Sequence, residues 1–208
     1  MQSAIEHLAK TADEDDVTVL YLLAHGHYNK TDGYYMSTTS GSIIKGTALI
    51  SAVTQIPGHV VLVICSCNSG EIFRTANLQT VMSSGGSYMT SRGQGHLSVI
   101  CSTTDSSSSF YNVDDPTLSY DFFTRAFNQS IGWNMVSGGP MGMLADANSD
   151  SSVTAGELAS FLPWRTQYLI SSFRQTYGDG IFWGNVSQYP KSFIASGESD
   201  LIIVSMKR

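Results

Sequence analysis

Two strings in this chain hold residue types that do acyl-transfer chemistry together: His25-Gly26-His27 and Cys65-Ser66-Cys67-Asn68-Ser69-Gly70. A thiol near its ordinary pKa of about 8.5 is mostly protonated at neutral pH, and a nearby imidazole favours the thiolate and takes its proton. The thiolate attacks a carbonyl carbon, and the imidazolium then protonates the leaving amine. Such chemistry also needs backbone N–H donors where the carbonyl oxygen gathers charge. The tight turn Asn68-Ser69-Gly70 offers donors just after the cysteine, with Gly26 and Cys67 as the expected oxyanion contacts. A lone buried cysteine or a lone satisfied histidine is the ordinary state of either residue. The reading rests on the pair, each followed by a glycine-containing turn. The chain has three cysteines, Cys65, Cys67 and Cys101, and an odd count argues against a complete disulfide framework. Cys-x-Cys is not the redox spacing Cys-x-x-Cys, and without a second Cys/His pair it is a poor zinc site.

The elements that must position these residues follow from the apolar pattern. Val17 to Ala24 and Val60 to Ile64 are near-continuous apolar runs of strand length, the pattern of strands buried on both faces of a parallel sheet. One run stops at His25 and the other at Cys65-Ser66-Cys67. In an open parallel sheet, ligands bind beyond the carboxyl ends of the strands. The crossover between these two is long enough for them to lie side by side. Leu97 to Cys101 reads as a third buried strand and Leu201 to Ser205 as a last one. Helices are expected over residues 2–10 and 47–56, the latter closed by Pro57-Gly58, then after Gly70, over residues 121–127 and from Glu157 onward. Residues 28–45 read as loop or hairpin. Strands alternating with helices give an α/β fold with a mostly parallel central sheet flanked by helices, in a single domain over residues 1–208.

An apolar strand ending in His-Gly, followed by an apolar strand ending in x-x-Cys-x-Ser-Gly, resembles the caspase, metacaspase, legumain and clostripain-like cysteine peptidases. Here the strings are Leu22-Leu23-Ala24-His25-Gly26 and Val60 through Ile64-Cys65-Ser66-Cys67-Asn68-Ser69-Gly70. The resemblance covers most of the chain. It implies a caspase-like (hemoglobinase) fold, His25 rather than His27 as the base, and Cys67 rather than Cys65 as the nucleophile. The strand at 97–101 with its Ser-Thr-Thr-Asp end is similar to the family's next strand and specificity loop. The chain departs from the pattern twice. Many relatives carry an Asp two residues before the nucleophile, where this chain has Cys65. The family's first strand should precede the His25 strand, but residues 1–16 supply only one helix, so an N-terminal processed segment or a second chain is expected to complete the sheet. Family members are often matured by cleavage, and the serine-rich stretch at 102–109 reads as a loop suited to it.

The resemblance places the S1 pocket at the ends of the neighbouring strands, with Ser102, Asp105, Asp121 and Cys65 as its candidates. A carboxylate at the base selects Arg or Lys, because a buried charge needs an opposite partner. Asp121 and Asp105 are the candidate counter-charges, and for each a helix cap or turn is an equally open reading. The expected activity is thus a cysteine endopeptidase cleaving after a basic residue. The alternatives are a legumain-like Asn/Asp-specific peptidase, a transpeptidase, and a non-catalytic calcium-dependent binding module on a peptidase fold.

Asp146, Asn148, Asp150, Ser152 and Glu157 follow the twelve-residue calcium-loop spacing, with acidic or amide ligands at positions 1, 3 and 5 and Glu at 12. Position 6 is Ser151 rather than Gly. The alternative is an Asx-rich turn capping the helix at Glu157. Calcium, if bound, is structural, and no organic cofactor is expected.

Net charge is −6 with no Lys/Arg cluster, which disfavours a nucleic-acid groove or an anionic membrane surface. No apolar run reaches the roughly 18 residues of a membrane span. Charged residues are only 13% of the chain, a composition common among extracytoplasmic bacterial proteins. The expected partner is a peptide or protein substrate.

Overall fold

The computed structural model describes residues 2–38, 41–105, 107–110, 121–178 and 188–206. From the amino end run α1 (Gln2–Thr11), β1 (Val17–Leu23) and a meander of β2 (His25–Asn29), β3 (Gly33–Ser37) and β4 (Ile43–Lys45). Then come α2 (Gly46–Val53), β5 (Gly58–Cys65), a 3-10 helix over Ser69–Arg74, α3 (Ala76–Ser83), β6 (Ser87–Thr90) and β7 (Gly93–Cys101). The rest comprises α4 (Phe122–Ser130), β8 (Trp133–Asn134), β9 (Gly139–Pro140), β10 (Ser152–Thr154), α5 (Ala155–Tyr177), β11 (Lys191–Phe193) and β12 (Ile202–Ser205).

The central sheet is mixed and mostly parallel, in the order β1-β5-β7-β11. β1, β5 and β7 are parallel, while β11 and β6 pair antiparallel with β7. The chain is therefore an α/β protein with helices on both faces of the sheet. β5 shows why its sequence is continuously apolar. Val60, Leu62 and Ile64 face a core shared with α1, α2 and α3, while Val61, Val63 and Cys65 face a second core under α4 and α5. A strand at the sheet's middle has no solvent side, so no polar alternation survives. β1 is an edge: no described strand pairs with its outer side, and Val17, Val19 and Leu23 stay exposed.

Three details depart from the sequence reading. α2 ends at Val53 rather than 56, because Pro57 disfavours helical backbone at the residue before it. The chain tightens instead through bonds from Gln55 N–H to Ala52 O and from Ile56 N–H to Val53 O. β7 begins four residues earlier than its apolar run, since Gly93–His96 pair with β6. The last strand, β12, lies outside the central sheet and pairs with β10 in the loop at 146–157. Among the described residues no helix is long and apolar enough to cross a membrane.

Candidate functional site

The parallel register sets the site. Leu23 pairs with Cys65, so His25 and Cys67 each stand two residues beyond the same rung at the carboxyl edge of the sheet. The ladder runs one step further, with Ala24 N–H donating to Cys65 O at 3.3 Å. Gly26 then lies against the Cys67 backbone so closely that a Cβ there would sit 1.9 Å from Cys67 O. Only glycine permits this approach, which brings the His25 backbone beside the cysteine. Gly70 is also required: a Cβ on it would meet the Thr104–Asp105 backbone within 2.7 Å. Asn68 takes the left-handed conformation, φ 56°, turning the chain from β5 into the 3-10 helix.

The three thiols differ by burial. Cys65 and Cys101 are fully buried, and burial pushes both thiols well up, toward the neutral form. Cys67 is half-buried, the least buried of the three thiols, and stands at the sheet edge. His25 is exposed, and no described side chain hydrogen-bonds its ring. His27, by contrast, hydrogen-bonds Ser37 Oγ at 3.1 Å and stacks on Tyr35 with ring centroids 5.1 Å apart.

The four pocket candidates divide into three that converge and one that does not. Asp121 is 5% exposed and caps α4, accepting from Thr124 N–H at 3.0 Å. Its carboxyl also accepts from Cys65 Sγ at 3.1 Å and from Ser109 Oγ. Burial raises the Asp121 carboxyl above the usual carboxylate range, and no described cation pairs with it. Ser102 is fully buried and clasps the end of β5, accepting from Ser66 N–H at 3.1 Å and donating to Ser66 O at 3.1 Å. Its hydroxyl lies 3.4 Å from Ser109 Oγ. Asp105 stands apart. Arg74 at 2.9 Å and Lys191 at 3.1 Å hold its carboxylate, keeping it below the usual range with Lys191 the larger cause.

Gln188 and Ser109, which stand in no recognisable motif, also belong here. Antiparallel pairing of Lys191 with Cys101 runs the residues before β11 past the end of β7, which delivers Gln188 to Ser102. Its amide nitrogen donates to Ser102 O at 3.2 Å and to Ser109 Oγ at 3.0 Å, and its oxygen accepts from Phe110 N–H at 3.0 Å. Nothing local marks either residue. One lies in a serine run and the other precedes a three-residue strand, and their contact spans 79 positions.

The loop at 146–157 folds as a turn around its own donors. Asp146 accepts from Asp150 N–H and Ser151 N–H at 3.1 and 3.0 Å, and Asp150 accepts from Ser152 N–H at 2.8 Å. Ser151 holds φ 69°, the left-handed backbone that position 6 of a calcium loop requires. Glu157 forms a capping box with Thr154 and accepts from Ala147 N–H at 3.0 Å. Among the described residues no three His, Cys, Asp or Glu side chains converge as a metal-holding group. The donors are nonetheless all hard oxygens, the set calcium takes, along one short loop.

No protein-family model and no curated protein matches this sequence. Among solved structures the chain is similar to the crystal structure of protein GSU0716 from Geobacter sulfurreducens. The TM-score is 0.51 at 13% identity, covering 93% of this chain and 71% of the other. That likeness extends to the fold alone.

Proposed function

We propose that this chain is a cysteine endopeptidase of the caspase-like type, with Cys67 as nucleophile and His25 as general base. The observation carrying the reading is the shared rung of β1 and β5, which brings an exposed imidazole and the half-buried thiol to one edge, with Gly26 packed on Cys67 O. His25 accepts the thiol proton as Cys67 Sγ bonds to the substrate carbonyl carbon. The proton passes to the leaving amine as the C–N bond breaks, and water then hydrolyses the thioester, regenerating the thiol.

Asp121 serves as the counter-charge for a basic P1 residue. Many members of the resembled family carry an Asp two residues before the nucleophile. Here that position is Cys65, and Asp121 delivers a carboxylate to the same spot from the α4 cap, 3.1 Å from the Cys65 sulfur. Asp105 is already occupied by Arg74 and Lys191. The test is a panel of fluorogenic peptides ending in Arg, Lys, Asn or Asp, assayed under reducing conditions. Thiol-dependent release from the Arg and Lys peptides is expected. Preference for Asn or Asp would overturn the role of Asp121 and favour the legumain-like alternative.

Calcium is proposed as a structural ion held by Asp146, Asn148, Asp150, the Ser152 backbone and Glu157. It would neutralise the loop carboxylates and fix the start of α5. At calcium near 100 times its Kd, binding adds about 2.7 kcal/mol, which is about 5–10 °C in Tm for a chain this size. Scanning calorimetry should show that rise and its reversal by a chelator. An unchanged Tm at millimolar calcium would remove the ion from this loop.

A further inference from the structure

The segment 107–110 lies over Cys67. Asn68 N–H, a donor in the turn expected to face the oxyanion, donates to Ser107 O at 2.7 Å. Ser109 N–H donates to Cys67 Sγ at 3.4 Å, and that sulfur lies 3.7 Å from Ser109 O. The main chain of Ser109 thus brackets the nucleophile. Its side chain drops into the pocket beside it: the hydroxyl reaches Asp121 and stands 3.0 Å from Gln188 Nε2, 3.4 Å from Ser102 Oγ and 3.9 Å from Cys65 Sγ. Phe110 N–H, the group that would leave if the Ser109 carbonyl were attacked, is held by Gln188 Oε1. Phe110 O continues the clasp by accepting from Phe122 N–H at 3.2 Å. Two clefts of about 570 and 800 Å³ lie at the start of α5 and between α1 and α2, and neither borders Cys67.

From this geometry we infer that residues 107–110 are an internal strap over the site: Ser107 O occupies the Asn68 N–H, the Ser109 main chain covers the Cys67 sulfur, the Ser109 hydroxyl fills the specificity pocket of Cys65, Ser102, Asp121 and Gln188, and the chain as folded is latent until the segment swings out. The inference rests on the peptidase reading of Cys67 and adds its regulation. A basic substrate side chain makes with N–H groups the bond to Asp121 that Ser109 makes with its hydroxyl. Substrate and strap therefore compete for one carboxylate. Catalysis is then limited by the fraction of molecules with the strap displaced.

The experiment compares wild type with Ser109→Ala and Ser109→Gly, following iodoacetamide labelling of Cys67 by peptide mass spectrometry alongside cleavage of the Arg peptide. A hydrogen bond to a charged group is strong enough that its loss should raise the labelling rate on the order of tenfold. Glycine, which also loosens the strap backbone, should raise it further. Cleavage should rise by the same factor, because both reactions need an uncovered sulfur. Buried Cys101, which the strap does not touch, acts as the internal control, staying unlabelled while the fold holds. Cys67 labelling equal in all three proteins overturns the strap, whatever the cleavage rates. Faster labelling with no cleavage of any peptide upholds the strap as a cover and rejects the peptidase reading instead.

Discussion

Replacing Cys67 with Ala is expected to lower kcat/KM for a basic peptide by about 10⁴–10⁶, the scale seen when a nucleophile acting within a unit is deleted. His25→Ala is expected to cost about 10²–10⁴, the usual contribution of a positioned general base. The two losses should not add. Without the sulfur there is nothing for His25 to deprotonate, so the double variant should match Cys67→Ala within a few fold. His27→Ala is the control. That ring is tied to Ser37 and stacked on Tyr35, one step further along the meander, and its loss should change kcat/KM by less than about threefold. Steady-state kinetics on the purified variants decide the matter. A large effect at His27 with none at His25 would reverse the assignment of the base. Equal activity in the Cys67 variant would remove Cys67 as the nucleophile.

Asp121→Asn should separate specificity from stability. A basic P1 side chain in the pocket leaves a buried charge unpaired when Asp121 is neutralised, and breaking such a pair costs about 3–5 kcal/mol, on the order of 10²–10⁴ in kcat/KM. Uncharged P1 peptides should lose far less. The fold should not suffer, because an Asn oxygen still accepts from Thr124 N–H and still caps α4. Burial raises the Asp121 carboxyl in the folded chain, so the folded state binds its proton more tightly than the unfolded state does. The stability tied to that proton is complete below the unfolded Asp value of about 3.9 and is lost as pH rises from there through the folded value. Asp121→Asn removes this decline. Denaturant titrations should therefore find the variant gaining on wild type between pH 4 and neutrality, by about 1 kcal/mol or more for each pH unit that the carboxyl is raised. A variant that loses ground as pH rises would mean that the carboxylate is stabilised in the folded chain and not penalised there.

The amino-acid sequence by itself determined the framework. Burial on two faces demands an unbroken apolar run, so Val17–Leu23 and the residues up to Cys65 announced themselves as inner strands, and their ends named His25 and Cys67. The loop at 146–157 was legible too, because its spacing is local and its turns close on neighbouring N–H groups. Three-dimensional packing alone decided the rest. Whether Cys65 or Cys67 is accessible depends on which thiol lies under α4, a contact that brings Asp121 across 56 positions. The carboxylates at 105 and 121 precede a serine run and a Phe-Phe-Thr string, and neither string says which of the two faces a cation. One is then engaged by Arg74 and Lys191, while the other is buried beside sulfur. Gln188 and Ser109 meet because β11 runs antiparallel to β7, and a three-residue strand leaves no periodicity to read. Strands and tight turns write themselves into neighbouring residues, whereas a pocket is assembled from loop ends whose partners lie far along the chain.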